Sequence, residues 1–197
     1  MAVGGQRIGI FGGTFDPVHV GHLAAAVNAR HALSLHRMLL VVANIPWQKT
    51  DLHTITPAED RYAVVEAAVE GVEGIEASRL ELDRGGRSYT ADTVAALADL
   101  HPGAELFVVV GSDLVPALDS WERVEEVRDR AVLVIVVRPG TAVSLPPPPW
   151  RYEVVQVPAL DVSSTDLRDR VATGRPIDVL VPPPAVREIR RRGLYAA

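Results

Sequence analysis

The stretch Arg7-Ile8-Gly9-Ile10-Phe11-Gly12-Gly13-Thr14-Phe15-Asp16-Pro17-Val18-His19-Val20-Gly21-His22 decides how the chain is read. Arg7 to Phe11 has alternate apolar residues, the pattern of a strand. The strand runs into Gly12-Gly13. From Gly21 to Leu33 a helix is expected, with Leu23, Ala24, Val27 and Ala32 on its inner side. Paired glycines let backbone amides approach a ligand closely. The helix N-terminus adds a positive dipole end suited to phosphate. His19 and His22 stand three apart there, so both can face one ligand and stabilise charge on a phosphate. Two other readings exist. Gly-Gly after a strand is often only a turn, and His-x-x-His can be two zinc ligands, although no third ligand is apparent. The dinucleotide-binding glycine fingerprint does not fit, because its third glycine is missing.

Outward from this stretch, strands and helices alternate. Met38 to Ala43 is a continuous apolar run, as in a strand buried on both faces. Residues 44 to 55 read as a polar loop. Thr56 is expected as an N-cap, with Pro57 in the first helical position, Glu59 completing a capping box, and a helix to about Val69. A short strand is expected from Ile75 to Leu82 and a turn at Arg84-Gly85-Gly86-Arg87. Thr90 is expected to cap a helix from Ala91 to Leu100. Leu106 to Val110 and Ala131 to Val137 are buried strands, with a helical region from Leu114 to Val127 between them. Tyr152 to Val157 is the last strand. Helices follow at Ser164 to Ala172 and Pro184 to Arg192, with Gly193 as a C-cap. The expectation is an α/β fold, a doubly wound and mainly parallel sheet with helices on both faces, in one domain over 1–197. In such sheets ligands bind beyond the carboxyl ends of the strands. The unusual polar residues fall there: Gly12 to Asp16, Asn44 to Lys49, Gly111 to Asp113, and Arg138.

Bulk properties narrow the partners. The 197 residues carry a net charge of -5, so no global basic field exists to hold nucleic acid. Cysteine is absent, which excludes disulfides, cysteine-based zinc sites and a cysteine nucleophile. No run approaches the ~18 apolar residues that span a bilayer. The opening residues MAVGGQRIGIFGG lack the pattern of a signal peptide, so a cytoplasmic location is expected. Lys49 is the only lysine.

A second phosphate-type segment is Ser163-Ser164-Thr165-Asp166-Leu167-Arg168. Its hydroxyls and first-turn amides can hold phosphate, with Arg168 one turn in. The same residues also suit simple N-capping.

The eleven residues from Gly12 to His22 are similar to the GxFDPxHxGH motif of the nucleotidyltransferase α/β-phosphodiesterase superfamily. Shorter His-x-Gly-His matches also occur in class I aminoacyl-tRNA synthetases, but the full match is highly specific. Ser163 to Arg168 resembles the ISSTxxR motif that holds ATP phosphates in that superfamily. Gly85 to Thr93 looks like the GGxSYTxDT segment of bacterial nicotinate mononucleotide adenylyltransferases. Gly111-Ser112-Asp113, Ser120-Trp121, Arg138-Pro139-Gly140 and the tail through Gly193-Leu194-Tyr195 fit the same family. The resemblance covers Arg7 to Tyr195. One departure stands in the loop after the second strand: Val42 replaces a family proline, and Gln48 stands where histidine is common. Glutamine hydrogen-bonds but carries no charge.

The resemblance implies transfer of AMP from ATP to nicotinate mononucleotide, yielding nicotinate adenine dinucleotide and pyrophosphate. It implies catalytic roles for His19, His22, Lys49 and Arg168. ATP is expected to meet Gly12, Gly13, Thr14, Phe15, His19, His22, Gly111, Asp113, Ser163, Ser164, Thr165 and Arg168. The mononucleotide is expected to meet Asn44, Gln48, Tyr89, Thr90, Trp121 and Arg138. Trp121 would stack on the nicotinate ring and Thr90 would meet its carboxylate. Mg²⁺ is expected on the ATP phosphates, with no metal held by the protein itself. Neither nucleic acid nor membrane is an expected partner, and homo-oligomerisation stays open. Nicotinamide mononucleotide or phosphopantetheine as acceptor, and a non-catalytic nucleotide-binding module, are the competing readings.

Overall fold

The computed structural model describes residues 5–46, 55–140 and 143–196. Along the chain they form β1 (Arg7–Gly13), α1 (Val20–Ala32), β2 (Arg37–Val42), α2 (Ala58–Val69), β3 (Ile75–Ser78), α3 (Leu80–Arg84) and α4 (Thr90–Leu100). Then come β4 (Glu105–Gly111), a 3-10 helix (Ser112–Ser120), α5 (Val124–Arg130), β5 (Ala131–Val137), β6 (Tyr152–Gln156), α6 (Ser164–Ala172) and α7 (Pro183–Arg192). The sheet order is β3-β2-β1-β4-β5-β6. β1 with β4, β4 with β5, and β5 with β6 pair in parallel. This is the doubly wound architecture expected from the alternation of elements. The order reverses between β1 and β4, whose carboxyl ends are Gly13 and Gly111.

The chain contacts gather into two compact units. The first is Met1–Gly12, Ala25–Leu39 and Tyr89–Ala159. Its centre is β4 and β5, where Leu106 to Val110 and Ala131 to Ile135 are all buried. Continuous burial follows from cover on both faces, and each Val, Leu, Ile or Phe among them contributes roughly 1.5–3 kcal/mol. Gly9 in β1 lets Met38 and Leu35 approach, for a Cβ there would come within 2.6–2.8 Å of their side chains. β6 is an edge strand, and Tyr152 and Val154 are exposed on it.

The second unit is Gly13–Ala24, Leu40–Ser88 and Leu160–Ala197. In it α2 packs against α7. α2 buries Arg61, Val64, Val65 and Ala68, one stripe at helical spacing, while α7 buries Ala185, Val186 and Ile189. Pro183 opens α7, and Gly193 at φ 62° closes it. Hydrogen bonds from Gly193 N–H to the Arg190 carbonyl and from Leu194 N–H to the Ile189 carbonyl complete a Schellman turn. That turn sends the chain toward Tyr195.

Several expectations are corrected. α1 buries Ala25, Ala26 and Ala29, whereas Val27 is 43% exposed. The small alanines let the helix lie close to its neighbours, so the buried stripe is not the one with the larger apolar residues. Thr56 and Thr90 are not N-caps. Pro57 and Tyr89 occupy those positions without side-chain capping bonds, and Thr90 is the first residue of α4. The strand expected to reach Leu82 ends at Ser78 and gives way to α3. The helical region expected over Leu114 to Val127 is present, as a 3-10 helix followed by α5. Pro116 sits inside the former and lacks the N–H that an α-helix needs.

Candidate active site

The Gly13 to His22 loop is shaped by its own aromatic rings. Phe15 takes the left-handed conformation at φ 49° and is buried. A Cβ on Gly13 would meet the Phe15 ring at 2.8–3.0 Å, so glycine is required for the ring to fold back there. The ring in turn meets His22 edge-on, with centroids 5.0 Å apart. His19 and His22 stack at 3.7 Å between centroids. The backbone N–H of His19 donates to His22 Nδ1 at 3.2 Å. Because Nδ1 accepts that bond, the His22 proton resides on Nε2, which is thereby a donor. His19 is 7% exposed and His22 half-buried. Gly21 accommodates the pair, for a Cβ there would lie 3.0 Å from His19 Nδ1 and 3.1 Å from Val162.

The second motif is pinned to this loop. Ser164 Oγ donates to the Pro17 carbonyl at 2.9 Å, and Arg168 Nη1 donates to the Asp16 carbonyl at 2.7 Å. These partners are 147 and 152 positions apart in sequence. Arg168 also donates to Thr165 Oγ1 at 3.3 Å. Ser163 is the N-cap of α6 and accepts from Asp166 N–H at 3.2 Å. The capping reading of Ser163 therefore holds, and the Ser164 hydroxyl serves as a clamp on the loop. The first turn of α6 brings its positive end to the same loop.

Beneath the loop lies a charged group that sequence reasoning missed. Arg61 is 1% exposed. Its Nε donates to the Thr56 carbonyl at 2.8 Å, Nη1 to the Thr14 carbonyl at 2.7 Å, and Nη2 to the Asn44 carbonyl at 3.1 Å. Burial lowers its affinity for the proton, and the nearby Asp16, Tyr195 and Glu81 act the other way. Asp16 is 3% exposed and accepts from Tyr195 Oη at 2.8 Å and from Thr56 N–H at 3.3 Å. Burial pushes the Tyr195 phenol well above its ordinary range, and the Asp16 charge adds to this. One signal for Arg61 was available: it stands on the apolar stripe of α2, where a charge is out of place unless it is hydrogen-bonded.

Asn44 joins the same unit. Its N–H donates to Ser88 Oγ at 2.8 Å and its Nδ2 to the Gly86 carbonyl at 2.9 Å. The second unit thus brings together Gly13, Thr14, Phe15, His19, His22, Asn44, Ser163, Ser164, Thr165 and Arg168. Gln48 and Lys49 lie outside the described residues.

The other candidates belong to the first unit. Gly12 ends its share of β1 and is exposed. Gly111 ends β4, and a Cβ there would strike Asp113 Oδ1, so glycine admits the Asp113 side chain over the strand end. Tyr89 and Thr90 open α4 and Trp121 closes the 3-10 helix, all three half-buried. Two residues beyond Trp121, Arg123 takes the left-handed conformation and forms an ion pair with Asp92 in the first turn of α4. Arg138 is exposed after β5.

Residues 10–170 match the family described as cytidylyltransferase-like. A Saccharopolyspora erythraea protein named a probable nicotinate-nucleotide adenylyltransferase is 41% identical, over 96% of this chain and 90% of its own. A Corynebacterium kroppenstedtii protein of the same name is 42% identical over the same shares. Among solved structures, Plasmodium falciparum nicotinic acid mononucleotide adenylyltransferase complexed with NaAD superimposes with a TM-score of 0.77 at 20% identity, covering 96% of this chain and 97% of that one.

Proposed function

The chain belongs to the cytidylyltransferase-like family and, within it, to the nicotinate-nucleotide adenylyltransferases, and from that membership we propose that it transfers AMP from ATP to nicotinate mononucleotide. An oxygen of the mononucleotide phosphate attacks the α-phosphorus in line, the bond from the α-phosphorus to the bridging oxygen breaks, and pyrophosphate leaves. No covalent intermediate is required when both reactants are held in place and the developing charge is stabilised.

The observation that carries this reading is the pinning of Ser164 and Arg168 to the carbonyls of Pro17 and Asp16. It joins the two phosphate-type motifs in one unit. In this reading His22 Nε2–H and His19 donate to the phosphates, with Arg168 and Lys49 as cations. The backbone from Gly12 to Phe15, Gly111 and Asp113 meet ATP, and the start of α6 at Ser163, Ser164 and Thr165 faces its phosphates. Asn44, Gln48, Tyr89, Thr90, Trp121 and Arg138 meet the mononucleotide. Trp121 offers an electron-rich face to the nicotinate ring, and Thr90 lies at the positive end of α4, where a carboxylate is favoured.

Magnesium is proposed to arrive with ATP. The Asp16 oxygens inside the motif accept from Tyr195 and Thr56, and among the described residues no group of three or more His, Cys, Asp or Glu could hold an ion. Phosphate oxygens and water suffice for Mg²⁺. Among the described residues no helix is long and apolar enough to cross a membrane; a cytoplasmic location accords with the proposed substrates.

The test is His22→Ala. Loss of a preorganised donor to the transferring phosphate is expected to lower kcat by roughly 10²–10³-fold, with the far-ultraviolet circular dichroism unchanged. Turnover near that of the unaltered protein would remove His22 from the reaction.

A further inference from the structure

We propose that Arg61 is a positioning residue that sets the spacing between the ATP-binding and acceptor-binding segments by holding Thr14 and Asn44 on one guanidinium. The roles of those two segments rest on the function proposed above; the strut itself rests on geometry.

Arg61 occupies a position where an apolar residue would complete the stripe of Val64, Val65 and Ala68. Burying a guanidinium carries a desolvation cost that an apolar residue avoids. Each of its three nitrogens nevertheless donates to a backbone carbonyl, and each carbonyl comes from a different segment. Carbonyl acceptors leave no side chain to rotate away. The guanidinium is planar and its donors diverge at fixed angles, so it fixes the relative placement of what it binds. The Thr14 carbonyl lies between Gly13 and Phe15, whose ring abuts His22. The Asn44 carbonyl belongs to the residue that also holds Ser88 Oγ and the Gly86 carbonyl. The third bond takes in Thr56, whose N–H reaches Asp16. One group therefore sets the histidine loop, the Asn44 segment and the Gly86 to Ser88 turn against each other. At 1% exposure it does not touch substrate. A displacement of about 1 Å between reacting partners costs about 10²-fold in rate, so the strut bears on turnover more than on the binding of either substrate.

The experiment compares Arg61→Lys with Val65→Ala in the full chain. Lysine keeps the charge but not the fork. Val65→Ala removes buried volume from the same helix while leaving the Arg61 guanidinium in place, and controls for a general loss of stability. Both are assayed well below their melting temperatures, with circular dichroism confirming the folded state. Arg61→Lys is expected to lower kcat by about 10²-fold while each KM moves by less than about threefold. Hydrogen exchange of the amides at 14–16 and 44–45 is expected to quicken together in Arg61→Lys and to stay unchanged in Val65→Ala. Unchanged exchange in both segments, or an equal response in Val65→Ala, overturns the strut whatever the turnover. Exchange that quickens while kcat stays within threefold of the unaltered protein overturns its bearing on the reaction. If the unaltered protein makes no dinucleotide from ATP and nicotinate mononucleotide, the proposed function fails, and the exchange data still decide the strut.

Discussion

Tyr195 donates its phenolic proton to Asp16 Oδ1 across 2.8 Å, although 179 positions separate the two. The Schellman turn at Gly193 aims the chain at this contact. The Asp16 loop is thus held from below by Arg61 and Thr56 and, through Asp16, by the segment after α7.

Tyr195→Phe removes the hydrogen bond donated to the buried Asp16 carboxylate. A hydrogen bond to a charged group contributes about 1.5–3 kcal/mol, so a loss of that size is expected in urea denaturation at pH 7. The variant also changes the alkaline limb. The phenol is raised from its ordinary value of 10.0 in the fold, so its protonated form is the one stabilised. The contribution is complete below pH 10 and is lost as pH rises toward the folded value. The gap between Tyr195→Phe and the unaltered protein should therefore narrow above pH 10; a gap constant to pH 11 would contradict the contact.

Acid stability has a different source. Glu188 in α7 accepts from Arg191 and Arg192, and these hydrogen bonds lower its pKa from 4.5 to about 2. The charged form is favoured in the fold. Its contribution is present above pH 4.5 and is lost as pH falls from 4.5 toward 2. Glu188→Gln is expected to be less stable than the unaltered protein at pH 7, with the difference vanishing toward pH 2. Equal melting temperatures at pH 7 would remove the effect. Exposed arginine partners keep its size modest.

Acceptor choice is expected to depend on the first unit. Arg123 neutralises Asp92 in the first turn of α4, the helix whose start holds Thr90. Arg123→Met removes that cation and leaves negative charge near the proposed site of the nicotinate carboxylate. The ratio of kcat/KM for nicotinate over nicotinamide mononucleotide is expected to fall by about 3–10-fold at low salt, and by less at high salt. Trp121→Ala should raise KM for the mononucleotide much more than for ATP. A change confined to the ATP value would contradict the placement of the nicotinate ring.

Most of the architecture was legible because buried parallel strands such as Leu106 to Val110 read as unbroken apolar runs. The two phosphate-type motifs were legible because their residue types are unusual at strand and helix ends. The stripe of α1 was not, since hydropathy favours Val27 over Ala25, Ala26 and Ala29, whereas close packing favours alanine. The caps at Thr56 and Thr90 were misplaced by one residue because Thr-Pro and Tyr-Thr both offer acceptable starts, and Thr56 is used instead through its backbone by Arg61 and Asp16. Arg61 and Tyr195 escaped because their partners are backbone carbonyls and a residue 179 positions away. The charge of Arg61 on the apolar stripe of α2 was its one local signal, and nothing local names the partners of either residue.

The most direct test of the account is pyrophosphate release from Mg-ATP with nicotinate mononucleotide, nicotinamide mononucleotide, phosphopantetheine or no acceptor, each supplied in turn to the unaltered protein. Rapid release with nicotinate mononucleotide, matched mole for mole by the adenine dinucleotide, is the predicted result, with much slower release in the other arms. Release that is fastest with phosphopantetheine, or absent with every acceptor, would contradict it.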